Sequence, residues 1–272
     1  MLKIDTHLHS FFSSDSEASM EDMIRQGIRL GLKSLCFTEH FDLDYPENEE
    51  NLDFLLNFDS YYTSSLRLRE KYASQIEILH GIEVGVQPHL KTELLNFYVR
   101  YGGRFDYIIN SCHIVRGEDP YEPSFFHKYS AEEGIRLYFE TILKNLETFP
   151  YFQSAGHLDY ICRYLPKPRP AFSYSLYGEV LDEILHFLIR HDKSLEVNTA
   201  GLKCGLPWPN PHMDILIRYR QMGGKLITIG SDAHRPEDIA FDFERLEKVL
   251  TQAGFSSYTM YRAQQPIQIP IL

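Results

Sequence analysis

Asp5-Thr6-His7-Leu8-His9 closes a short apolar run near the N-terminus, and its alternation sets how the rest of the chain is read. Side chains of an extended strand point to opposite faces in turn, so Asp5, His7 and His9 share one side. Two neighbouring imidazoles suit a divalent transition metal. One His-x-His says little alone; its weight comes from recurrence farther along the chain.

Working outward, the strand-like runs 34–40, 105–113, 152–157 and 225–234 end in His40, His113, His157 and His234. The run 76–84 carries Glu83 on the face opposite His80, and 194–199 is a further strand. Amphipathic stretches separate them at 20–30, 60–72, 89–101, 131–148, 176–191, from after Pro211 to 223–224, and 236–253. Met20, Met23, Ile24, Ile28 and Leu30 form an apolar stripe that Gly31 ends. Strands alternating with helices, with polar residues gathered at strand C-termini, predict an α/β fold, a (β/α) barrel of seven units with its site on that rim. A doubly wound open sheet is the structural alternative, with its crevice limited to one switch point. The loop 116–129 reads as structureless and beside the site, and 256–272 as one short strand and a Pro-rich tail.

With 272 residues and 43% hydrophobic content the chain can bury a full core, and a single domain over 1–272 is expected. No apolar run approaches the roughly 18 residues of a membrane span, and the chain opens on a strand rather than a basic leader, so a cytoplasmic protein is expected. A formal charge of −11 offers no basic surface to a phosphate backbone, which argues against a nucleic-acid partner. Cys36, Cys112, Cys162 and Cys204 form no Cys-x-x-Cys pair, so they read as buried thiols rather than a zinc site or a disulfide framework. The oligomeric state is not legible.

Collected by strand end, the candidate metal ligands are His7, His9, Asp15, His40, Glu83, His113, His157, Asp232 and His234. A catalytic zinc site uses three protein ligands and a water, so nine suffice for two or three ions, with Glu83 as a bridge. Imidazole and carboxylate donors suit zinc, iron or manganese. His80, His89, His127, His186, His191 and His212 carry no predicted function beyond possible substrate contact from His127 and His212.

The ordered set His7-x-His9, Asp15, Thr38-Glu39-His40, Gly81-Ile82-Glu83, Ser111-Cys112-His113, Gly156-His157-Leu158-Asp159 and Ser231-Asp232-Ala233-His234 resembles the PHP (polymerase and histidinol phosphatase) superfamily. The chain length, the stretch Ser13-Ser14-Asp15-Ser16-Glu17 and the run 156–163 resemble its stand-alone histidinol-phosphate phosphatases. The resemblance implies a distorted (β/α)7 barrel with three divalent ions. One would be held by His7, His9, Glu83 and Asp232, a second by Glu83, His113 and His157, and a third by Asp15, His40 and His234. Some members have His where this chain has Asp15, which bears on the third metal. Glu83, Asp232 and His234 are the candidate catalytic residues.

The implied reaction is hydrolysis of a small phosphomonoester, L-histidinol phosphate in those relatives, within histidine biosynthesis. A bridging water acidified from ~15.7 toward ~7 would attack in line. Arg116 and Arg163, at the starts of active-face loops, are the candidate phosphate clamps. Glu17, Asp42, Asp44 and Asp159 are candidates for the cationic leaving alcohol, and Asp5 for support of the imidazoles. Another small phosphoester or nucleotide, or a metal-bound module without turnover, are the alternative readings. An amidohydrolase-like carbon–nitrogen hydrolase lacks an obvious lysine for carbamylation.

Overall fold

The computed structural model describes residues 2–48 and 52–271. Seven parallel strands pair in chain order: β1 (Ile4–Leu8), β2 (Ser34–Asp42), β3 (Glu77–Gly85), β4 (Tyr107–Ser111), β5 (Ser154–Ala155), β6 (Ser194–Asn198) and β7 (Ile227–Gly230). They are buried on nearly every residue, apolar side chains alternating in several of them with polar ones such as Asp5, His7, Glu83 and Glu196. The chain closes on itself just past β7. A parallel bridge joins Leu8 and Ala233; His9 N donates to Ala233 O and Asp232 N to His7 O, each at 2.8 Å. The result is the expected distorted seven-unit barrel, tied from last strand to first at the rim that carries the His-x-His. Gly230 permits this closure, because a Cβ there would lie 2.3 Å from the Cβ of His7.

Around the barrel lie α1 (Met20–Arg29), α2 (Phe58–Tyr72), α3 (Lys91–Tyr101), α4 (Pro123–Lys128), α5 (Ala131–Thr148), α6 (Tyr174–Arg190), α7 (Ala200–Lys203), α8 (Met213–Gln221) and α9 (Phe243–Gln252). Their ends follow local chemistry. The Ser19 hydroxyl accepts from Asp22 N at 3.0 Å, acids fill the first turn of α1, and Gly31 takes φ +69° behind it. Ser130 and Glu133 form a capping box on α5. Met20, Met23 and Ile24 are buried, whereas Leu30, at the C-cap, is 37% exposed and leaves the expected stripe. The apolar faces of barrel and helices join in one continuous core.

Several expectations need correction. The loop 116–129 is not structureless, since it holds a tight turn at Val115–Glu118 and α4. The helix expected over 236–253 breaks into a 3-10 turn, Pro236–Asp238, and α9, because Ala240 and Asp242 take positive φ between them. The C-terminal end forms two antiparallel strands, β8 (Ser257–Arg262) and β9 (Gln265–Pro270), rather than one strand and a tail. Pro266 and Pro270 are tolerated because β9 has β8 as its partner on one side only. Cys204 is exposed, unlike the other three cysteines. Residues 49–51 of the acidic loop lie outside the described residues. No helix among the described residues is long and apolar enough to cross a membrane.

Candidate metal centre

The strand ends deliver their donors to one place. His7 comes from β1 and His9 from just beyond it, His40 and Glu83 from β2 and β3, and His113, His157, Asp232 and His234 from the segments that follow β4, β5 and β7. Glu83 is at the centre. Its Oε2 lies 3.2 Å from His7 Nε2, 3.5 Å from His9 Nε2 and 3.1 Å from His40 Nδ1. Its Oε1 lies 3.2 Å from His113 Nε2 and 2.9 Å from His157 Nε2. Asp232 Oδ1 is 3.6 Å from His7 Nε2 and 3.5 Å from His9 Nε2. Asp232 has φ +57°, a left-handed turn that carries the chain from β7 into the rim.

A third group forms at the mouth, where Asp15 Oδ2 lies 3.1 Å from His234 Nε2 and 3.5 Å from His40 Nε2. The two imidazole nitrogens are themselves 3.5 Å apart.

Several imidazoles are oriented from behind so that Nε2 faces inward. His7 Nδ1 is 2.6 Å from Glu196 Oε1, His113 Nδ1 is 2.7 Å from Asp42 Oδ1, and His234 Nδ1 is 3.0 Å from the Asp232 carbonyl. Each outer contact takes an N–H, so Nε2 presents a lone pair. His9 Nδ1 is 3.1 Å from Ser13 Oγ. That hydroxyl gives its own proton to Glu39 Oε2 at 2.6 Å, so it accepts from the imidazole. Glu196 also accepts from His157 N at 2.7 Å, tying β6 to two donors.

This arrangement fits a bound cation. His7 Nε2, His9 Nε2 and Glu83 Oε2 are buried without a hydrogen-bond partner, although buried polar atoms are almost always partnered. A tetrahedral ion at ~2.0–2.1 Å from its ligands spaces them by about 3.3–3.4 Å, which the 3.2 to 3.6 Å contacts among His7, His9, Glu83 and Asp232 match. The acids also favour positive charge. Against the opposing effect of burial, Asp42 and Glu83 push His113 up to about 10. Burial would raise Glu83, but His7, His113 and His40 hold it well below the carboxylate range. His9 goes the other way, pushed down by burial and by His40 and His234.

Asp15, His40, His113, His157, Asp232 and His234 border a cavity of about 130 Å³ whose wall adds Asp42, Tyr45, Phe54, Asp119, Tyr160, Arg163 and Tyr164. Arg163 is buried, with Nη1 3.0 Å from Asp232 Oδ2, Nη2 3.2 Å from Asn198 Oδ1 and Nε 2.8 Å from Asn210 Oδ1. It is the one Arg or Lys among the described lining residues.

Not every expected residue arrives. Arg116 is exposed at the tip of a two-residue turn with Gly117, both at positive φ, while Val115 and Glu118 bond to each other on either side. The turn carries its guanidinium into a separate depression beside Asp44, His89 and Lys144. Glu17 is exposed because its neighbour Ser16 takes the inward position and donates to the His234 carbonyl at 2.8 Å. Asp44 pairs with His89 at 2.8 Å outside the cavity. Asp159 is buried against Trp208, Asn210 and His212 N. Burial raises it to about 6, opposed by Asn210 and His212.

Asp5 does not reach an imidazole; it accepts from Ser231 N at 3.0 Å and Ser231 Oγ at 2.5 Å, and so holds the turn before Asp232. Neither His127 nor His212 lines the cavity. Sequence reasoning missed Glu196, Asn198 and Asp119. The period of two in Ser194-Leu195-Glu196-Val197-Asn198 could have found the first two.

A model of the PHP domain matches residues 5–200. The chain belongs to the PHP domain family. Among similar PHP proteins, the "Probable histidinol-phosphatase" of Clostridium acetobutylicum is 34% identical over 90% of this chain and 91% of its own length. The "Histidinol-phosphatase" of Lactococcus lactis subsp. lactis is 33% identical over 94% and 93%. A crystal structure of histidinol phosphate phosphatase from that organism, complexed with zinc, L-histidinol and phosphate, superposes with a TM-score of 0.87. Its sequence is 30% identical, covering 98% of this chain and 100% of that one.

Proposed function

We propose that this PHP protein is a histidinol-phosphatase, hydrolysing L-histidinol phosphate to L-histidinol and phosphate on three divalent ions. The observation that carries the reading is Glu83, whose two oxygens face two different donor groups; of these donors, His113 and His157 line a cavity with one arginine. His7, His9, Glu83 and Asp232 would hold one ion, Glu83, His113 and His157 a second, and Asp15, His40 and His234 a third. The solved relative with zinc, L-histidinol and phosphate supports both the metal class and the substrate.

Bound ions would supply an acidified water and neutralise phosphate oxygens. The chain's own residues do the positioning. Glu196 and Asp42 keep the protons of His7 and His113 on Nδ1, so that Nε2 stays a lone pair. Asp232 is held through Oδ2 by Arg163, which leaves Oδ1 toward His7 and His9. Arg163 has five N–H donors, and those not spent on Asp232, Asn198 and Asn210 can meet a phosphate oxygen. The acidic wall of Asp15, Asp42, Asp119 and Asp232 disfavours a polynucleotide and suits a cationic alcohol.

Phosphate release by metal-loaded protein from L-histidinol phosphate, a nucleoside monophosphate and neutral alkyl phosphates tests the reading. The highest kcat/KM belongs to histidinol phosphate. No release from that ester, with efficient hydrolysis of another, would overturn it.

A further inference from the structure

We infer that Asp119, paired with Tyr45, selects the substrate by its cationic amine; the inference rests on the histidinol phosphate reading above. Asp119 follows the Val115–Glu118 turn and lines the cavity while only 5% exposed. Its Oδ2 accepts from the Tyr45 hydroxyl at 2.5 Å and its Oδ1 from Tyr121 N at 2.7 Å. Both partners are neutral. No Lys or Arg among the described residues forms an ion pair with Asp119, and the nearby cationic group, His113, is itself engaged by Asp42 at 2.7 Å and Glu83 at 3.2 Å. Burying a carboxylate in this way is costly unless a cation meets it.

The surrounding wall fits the same ligand. Phe54 packs edge-on to His40 with ring centroids 5.2 Å apart, and Tyr45 lies 4.5 Å from Phe54. Across the cavity Tyr160 lies 5.0 Å from His157 and 4.9 Å from Tyr164. Aromatic faces beside a metal centre suit a flat ring or an alkylammonium group. A second observation points to the same side of the cavity. Asp42 is 3% exposed; its Oδ1 is engaged by His113 Nδ1, while its Oδ2 is buried with no hydrogen-bond partner. Two acids, one without a Lys or Arg partner and one whose Oδ2 makes no hydrogen bond and lies 3.8 Å from His40 Nδ1, therefore line the same cavity as Arg163. A leaving alcohol with a protonated amine answers both, and a neutral alcohol answers neither.

The test is a cycle of two enzymes and two substrates. Parent and Asp119→Asn proteins are assayed on L-histidinol phosphate and on the 3-(imidazol-4-yl)propyl phosphate that lacks its amine. In the parent, removing the amine lowers kcat/KM by about 10- to 100-fold, the worth of a charged hydrogen bond. In Asp119→Asn the same change costs less than about threefold, chiefly because KM for the amine-bearing ester rises. Asn retains an oxygen for Tyr121 N, and Asp119→Glu, which displaces the charge, serves if Asp119→Asn does not fold; it too must lose selectivity. An equal fall on both esters, or unchanged selectivity, overturns the inference. A parent inert toward histidinol phosphate but active on other esters overturns the functional reading, and this inference with it.

Discussion

The two ends of the barrel treat buried polar groups in opposite ways. At the N-terminal end most of the polar atoms satisfy one another, Ser34 Oγ and His80 Nδ1 being buried exceptions without a hydrogen-bond partner. Thr228 Oγ1 meets Tyr107 OH at 3.0 Å and Ser154 Oγ at 2.8 Å, and Ser194 Oγ meets Tyr261 OH at 2.8 Å. The β8–β9 hairpin is fastened there by Asp106, which accepts from Ala263 N at 2.8 Å and from His80 N at 3.1 Å. At the C-terminal end the imidazoles are braced from behind, yet His7 Nε2, His9 Nε2 and Glu83 Oε2 have no hydrogen-bond partner. One end stabilises the fold and the other holds chemistry, on the same seven strands.

The largest expected effect lies at the open end. Glu83→Gln removes the charge shared by two donor groups, so kcat/KM for histidinol phosphate falls by about 10³-fold or more. Metal content measured by mass spectrometry falls with it. Activity lost with full metal content would place Glu83 outside the ligand set. Glu196→Gln acts one layer back, leaving Nε2 of His7 in place but weakening its orientation. Metal affinity drops by about 10- to 100-fold in a chelator competition, and excess metal restores most activity.

The closed end should respond in stability alone. Asp106→Ala leaves two backbone N–H groups without their acceptor, at a cost of about 1–3 kcal/mol in a denaturant titration. The kcat of the folded fraction stays within about twofold. A matching loss of bound metal would show that the two ends are not independent.

The smallest effect is a pH dependence at the closed end. His80 is stacked between Tyr61 and Phe105, with centroids 4.3 and 5.0 Å away. Burial, then Arg69 and Arg104, push it from 6.5 down to about 3. The unfolded chain therefore takes the proton first, so the stability it contributes is full above pH ~6.5 and is lost as pH falls toward 3. In chelated protein, His80→Phe should flatten the decline of the unfolding midpoint over that window. An unchanged slope would assign the decline to other groups.

The contrast between the ends was partly written in the sequence. Period-two alternation placed His7, His9 and Glu83 on the inner face, and strand-end recurrence led to His40, His113, His157 and Asp232, because both signals are local. Arg116 misled for a local reason too. Proximity to His113 in sequence does not survive a turn in which both central residues have positive φ. Asp119 and Asp5 were illegible for the opposite reason, since their partners Tyr45 and Ser231 lie 74 and 226 residues away. The hairpin was missed because prolines in Gln265–Pro270 mimic a tail until a partner strand pairs them.

The most direct test of the central claim is a titration of chelated protein with zinc or manganese, measuring bound metal per chain and phosphate release from L-histidinol phosphate in the same samples. Turnover should be negligible without metal and should rise to a plateau as the bound metal approaches three ions per chain. Full turnover in metal-free protein, or three bound ions with no release from histidinol phosphate, would contradict the account.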